Sequence, residues 1–196
     1  MLRNSLLSAY AKCSSLTCVQ SKLIFENPYE KLKQYLEVPL LDDQFFSPDI
    51  ESLVAAHELF VPNPLHRIGF ITSGIGPEKF PNHDLPEKRG RCIRTFLLID
   101  GKVGFEDIDQ IALDVLENYK VPHVIVMTKI DKISDGILLK NVLHLKNIRK
   151  STVYCFSQPF AVSSHTYEGL GHLLAFIGHI TGNVNIKSAD IKSISH

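Results

Sequence analysis

Val121-Pro122-His123-Val124-Ile125-Val126-Met127-Thr128-Lys129-Ile130-Asp131-Lys132 decides how this 196-residue chain is read. Residues 122–127 form a short run that is apolar at nearly every position. A strand with one solvated face would alternate, so this run reads as a strand covered on both sides, which is the habit of parallel sheets. It ends abruptly in Thr128-Lys129-Ile130-Asp131, a polar loop at the carboxyl end of that strand.

The same alternation of elements extends outward from this stretch. Phe96-Leu97-Leu98-Ile99-Asp100 is a second apolar run ending in a carboxylate. Between the runs, Ile108, Ile111, Ala112, Val115 and Tyr119 recur at helical spacing. Leu138, Val142, Leu145 and Ile148 mark another helix, with Ser134 or Asp135 as its N-cap. A third strand lies within Val153–Val162, interrupted near Gln158-Pro159. Leu170, Leu173, Leu174 and Ile177 predict a last helix, stopped at Gly182. A β-α-β-α-β-α series implies an α/β fold with a parallel sheet and right-handed crossovers. Such sheets bind ligands at the carboxyl ends of their strands. Thr128–Asp131 and the segment after Val162 both fall there.

Composition excludes several classes. Lys plus Arg and Asp plus Glu both number 21, so no global field draws the chain to nucleic acid or membrane. No apolar stretch is long enough to span a bilayer. Cys13, Cys18, Cys92 and Cys155 form no Cys-x-x-Cys pair, which suggests neither a zinc site nor a disulfide framework. Residues 1–24 carry Arg3, Lys12 and Lys22, many Ser and Leu, and no acid, the composition of a mitochondrial transit peptide. Residues 26–65 read as polar helical turns broken by prolines, and 67–72 as a possible strand. Residues 73–91 read as loop.

The loop chemistry is specific. Guanine presents N1–H and its exocyclic amino group side by side, and one ionised carboxylate can accept both. Asp131 is the candidate for that role. Adenine lacks the donor pair and would leave the carboxylate desolvated and unpaired. Lys129 would lay its aliphatic stem over the purine face, and Thr128 would brace the loop through its hydroxyl. After the next strand, Val162-Ser163-Ser164 supplies a backbone N–H, at Ser163 or Ser164, for guanine O6. Thr128, Lys129, Asp131, Val162, Ser163 and Ser164 are therefore the candidate base site. No other catalytic or metal-ligating set stands out.

With Phe96–Asp100, Gly104, Asp109 and Val121–Lys132 in hand, the chain resembles the EngB-type GTPases, most of all their animal mitochondrial branch. The likeness is strong from about Arg91 to Gly182 and weaker from Ser47 to Glu87, where Phe70-Ile71-Thr72-Ser73 and Asp84-Leu85-Pro86-Glu87 carry it. The resemblance implies a Ras-like fold, GTP and GDP binding with Mg2+, slow GTP hydrolysis, and assembly of the large ribosomal subunit in the mitochondrial matrix. The implied partners are guanine nucleotide and that subunit or its rRNA.

One part of the family pattern is missing. The sequence holds no Gly-x-x-x-x-Gly-Lys-Ser/Thr, and no Asp is followed three residues later by Gly. Gly69 and Gly74 have the outer spacing of a phosphate loop, but Ile75-Gly76 stand where Lys-Ser is needed. Where the family carries a strand, phosphate loop and magnesium switch, Glu87 runs directly into Lys88-Arg89-Gly90-Arg91. The expectation is therefore a partial Ras-like domain, 88–182, lacking its first strands and its magnesium ligands. A lead-in (25–87) precedes it and a flexible tail (183–196) follows. Phosphoryl transfer depends on exactly those absent groups for positioning and electrostatics, so no hydrolysis is expected. A non-enzymatic, truncated splice variant acting as an interaction module, or a product without function, is the alternative. Lys88, Arg89, Arg91 and Arg94 form a basic cluster without interleaved aromatics, which reads as solvated.

Overall fold

The computed structural model describes residues 24–35, 46–61 and 93–186. The leader before Ile24, the strand expected at 67–72, the loop at 73–91 with Lys88, Arg89 and Arg91, and the tail beyond Ile186 lie outside these residues.

A 3-10 helix, Pro28–Tyr35, comes first, followed by α1 (Ile50–Leu59), β1 (Thr95–Asp100), α2 (Asp107–Asn118), β2 (His123–Thr128), α3 (Asp135–Arg149), β3 (Phe160–Ala161) and α4 (Leu170–Ile180). The three strands are parallel, in the order β1-β2-β3, with β2 central. This is the α/β architecture with a parallel sheet that the alternating pattern predicts. The interruption before β3 is also found: Cys155 bridges to His123, and the strand resumes only at Phe160.

Why the central strand is apolar throughout is visible in its alternation. Val124 and Val126 point into one core cluster, Ile125 and Met127 into the other. The first cluster lies beneath α1 and α4, which contribute Leu53, Ala56, Ala175 and Phe176. The second lies beneath α3, which contributes Leu138, Val142 and Leu145. Phe176 is fully buried, with the rings of Phe46, Phe156 and Phe160 at 5.4, 4.8 and 5.0 Å.

Local chemistry sets the helix ends. The Asp49 carboxylate accepts the Ser52 N–H at 2.8 Å to start α1. Asp109 accepts the Glu106 N–H at 2.9 Å to start α2. Gly182 stops α4 with φ 73°, a left-handed position suited to glycine.

Three expectations need correction. The α2 stripe is not buried: Ile108, Ile111 and Val115 are 67, 60 and 48% exposed, while Leu113 faces the interior. The helix sits beside an edge strand and has sheet on one side only. Asn183 does not open a loose tail at once, because Val184 and Ile186 are core residues. Ile24, assigned to the leader, is likewise buried in the core with Phe25.

Candidate functional site

β2 delivers Thr128 to the top of the sheet, beside the end of β1. The Thr128 hydroxyl donates to the Ile99 carbonyl at 3.0 Å, and the Thr128 carbonyl accepts the Gly101 N–H at 2.8 Å. These bonds tie the two strand ends together. Lys129 then adopts a left-handed conformation, φ 57° and ψ 35°. For a residue with a side chain this costs about 1 kcal/mol. The turn it permits drops Ile130 into the core, where its N–H donates to the Val162 carbonyl at 3.4 Å. Lys129 and Asp131, on either side, are left exposed.

Asp131 is braced from the neighbouring loop. The fully buried Ser163 donates its hydroxyl to Asp131 Oδ1 at 2.5 Å. The Ser163 Oγ itself accepts the N–H groups of His165 and Thr166, both at 3.1 Å. Ser163 is therefore the hub of a tight turn whose free proton is spent on Asp131. That hydrogen bond, chiefly, holds the Asp131 carboxyl below its ordinary range, so it is ionised at neutral pH. An ionised carboxylate, fixed on one side and open on the other, can accept two adjacent N–H donors from a planar ligand.

Lys129 has a partner that its motif does not reveal. Its ammonium sits on Asp100 Oδ2 at 2.5 Å, across the top of the sheet. The Asp100 carboxyl is lowered first by this bond and then by the Lys102 N–H, at 2.9 Å. Asp100 was legible only as the carboxylate ending an apolar run; its role in orienting Lys129 required the register that pairs Asp100 with Thr128.

The remaining candidates divide. Val162 is buried, its N–H donating to the Met127 carbonyl at 2.8 Å while its carbonyl takes the Ile130 N–H. It positions the site from below. The Ser163 N–H donates to the Glu168 carbonyl at 3.0 Å and is not free for a ligand. Of the alternatives weighed for an O6 donor, Ser164, exposed in the same turn, is the one left. Among the described residues no group of three or more His, Cys, Asp or Glu side chains could hold a metal ion. The described residues do not fit a magnesium site. No described helix is long and apolar enough to cross a membrane.

The site thus belongs to the class of α/β proteins that place a Thr-Lys-x-Asp loop and a Ser-containing turn at the carboxyl ends of adjacent parallel strands. No protein-family model matches the chain. Among curated proteins it is similar to the probable GTP-binding protein EngB of Ehrlichia chaffeensis, 34% identical over 82 residues, covering 42% of this chain and 40% of that protein. It is similar also to the EngB of Chelativorans sp., 37% identical over 93 residues and covering 46% and 41%. That of Rhodopseudomonas palustris is 27% identical over 95 residues, covering 48% and 44%. The chain is thus similar to EngB GTP-binding proteins over a part of each, and spans about two fifths of the length of those it matches. A solved structure of translation elongation factor SelB from Methanococcus maripaludis aligns with 47% of this chain and 21% of its own, at 21% identity and a TM-score of 0.42, too slight a likeness to carry argument.

Proposed function

We propose that this chain binds the guanine base of GDP or GTP through Asp131 and does not hydrolyse GTP. The observation that carries the reading is the Ser163–Asp131 brace, at 2.5 Å, between two loops that the sheet sets side by side. Lys129 would cover the purine with its stem, its ammonium held by Asp100, and the Ser164 N–H would meet O6. The EngB relationship supports the same ligand. Absence of a Gly-x-x-x-x-Gly-Lys-Ser/Thr motif from the sequence supports the lack of turnover.

The cellular setting is part of the proposal. The acid-free, basic residues 1–23 support import into mitochondria. A removable leader must end before Ile24, since Ile24 and Phe25 are packed in the core. Assembly of the mitochondrial large ribosomal subunit is the role that the EngB resemblance suggests. The uncovered α2 stripe favours a second reading, a non-enzymatic truncated variant that works as an interaction module.

Titration with a fluorescent GDP analogue tests the first reading, with an adenine nucleotide and Asp131→Asn as controls. Expected is saturable, guanine-selective binding that Asp131→Asn weakens roughly 10- to 100-fold, the range for hydrogen bonds to a charged group. Equal binding of adenine nucleotide, or no change in a folded Asp131→Asn chain, would sink the guanine assignment. GTP turnover that disappears with Asp131→Asn would sink the claim of inactivity. Co-sedimentation with large-subunit particles tests the ribosomal role.

A further inference from the structure

We infer that the N-terminal arm, Ile24–Tyr35, clamps the loop that carries Ser163, with Lys31 and Tyr29 as positioning residues for the base site. The inference deepens the guanine reading and rests on it for its functional meaning. Its structural content stands separately.

The arm crosses from one face of the sheet to the other at the β3 edge. Ile24 and Phe25 belong to the cluster under α1 and α4, Tyr29 and Leu32 to the cluster under α3. Between these anchors it touches the 159–171 segment repeatedly. The Tyr29 hydroxyl, nearly buried, donates to the Pro159 carbonyl at 2.6 Å, just ahead of β3. The Lys31 ammonium pairs with Glu168, whose carboxylate side chain is only 11% exposed. Gly169, φ 74°, lies so close to Pro28 and to the Ala161 carbonyl that an added Cβ would collide with both. Gly171 is pressed as closely against the Ile24 carbonyl.

From Lys31 the contacts lead directly to the site. Lys31 fixes Glu168; the Glu168 carbonyl accepts the Ser163 N–H; the Ser163 hydroxyl donates to Asp131. Remove the Lys31 ammonium and a mostly buried carboxylate loses its cation. It must then move toward water, because an uncompensated buried charge is costly. The backbone carbonyl of the same residue holds Ser163, so any part of that shift that the backbone takes up is passed to the turn. The half-exposed Lys31 limits the size of the effect, but its direction is set: the 163–168 turn loosens and Asp131 loses its brace.

Hydrogen exchange of the full chain, read by mass spectrometry, tests this without any nucleotide. Lys31→Met and Tyr29→Phe are each compared with the wild type and with Lys31→Arg, which keeps the cation. Exchange over 163–168 should accelerate roughly tenfold in Lys31→Met, with 124–127 in β2 unchanged, and return toward wild type in Lys31→Arg. Tyr29→Phe, which removes one hydroxyl, should act the same way more weakly. Unchanged exchange over 163–168 in either folded variant overturns the clamp. So does equal acceleration in β2, which would mean a general loss of stability. If Lys31→Met does not fold, Tyr29→Phe decides by the same two criteria. A GDP titration on the same samples adds the functional arm: Lys31→Met should bind several-fold more weakly than Lys31→Arg. A wild type that binds no guanine nucleotide removes the guanine reading and leaves the exchange result to judge the clamp.

Discussion

At the scale of single residues, charge state follows from what each group touches. Asp131 and Asp100 are lowered by hydrogen bonds that favour their anions. Whatever they add to folding is present above the ordinary carboxylate range, near 3.9, and is lost only as pH falls through their folded values. His172 runs the other way. Burial pushes its imidazole down to about 4, against a smaller opposing influence from Glu30, and its Nδ1 has no partner among the described residues. The unfolded chain takes up this proton near 6.5, the folded one near 4. Stability should therefore be level above about pH 6.5, fall as pH drops toward 4, and level again below. The loss from this one group is on the order of 3 kcal/mol. Urea unfolding at pH 7 and pH 4.5 should show it, and His172→Gln should flatten the difference. An unchanged pH slope in that variant would place the proton elsewhere. The site's own carboxylates act below this window, so the two effects separate.

At the scale of elements, the two edges of the sheet are treated differently. The β3 edge is met by the arm, through Tyr29 and its bond to Pro159. The β1 edge has no strand partner among the described residues, and Leu98 on it is 63% exposed. Beside it stands the exposed Ile108–Ile111–Val115 stripe of α2. The sequence pattern identifies α2 as an amphipathic helix but cannot say whether its apolar face has a neighbour. Ile111→Glu should change unfolding stability by no more than about 0.5 kcal/mol, since it replaces an exposed side chain. It should also reduce binding of an apolar dye and raise solubility. Leu113→Ala, on the buried side of the same helix, should cost about 2–5 kcal/mol. Denaturation curves of the pair check both; a large loss in Ile111→Glu would mean that the stripe is covered in solution.

At the scale of the whole molecule, stability depends on two apolar layers flanking one narrow sheet. The larger layer centres on Phe176, whose ring meets rings brought from Phe46 ahead of α1, from the β3 region and from β1. Phe176→Ala should cost about 3–5 kcal/mol and leave the fold marginal or unfolded at 37 °C. Thermal unfolding followed by circular dichroism measures this; a shift of only a degree or two would mean that the cavity collapses around the lost ring.

Much of this was written in local order. The 122–127 run, its period-two division between the layers, the Thr-Lys-x-Asp loop, the capping residues and the Gly182 stop are all set by neighbours in sequence, and so is the chemistry Asp131 offers. Folding settled the rest, because it depends on groups far apart along the chain. The Lys129–Asp100 pair spans 29 positions and exists because β1 and β2 are in register. The Ser163–Asp131 brace spans 32. Tyr29 and Lys31 reach across 130 and 137 positions to the turn beside the site, and nothing in their local pattern distinguishes them from surface residues of a polar helix. Periodicity and motif report what a segment prefers; which segment meets which is decided by the three-dimensional packing that buries both.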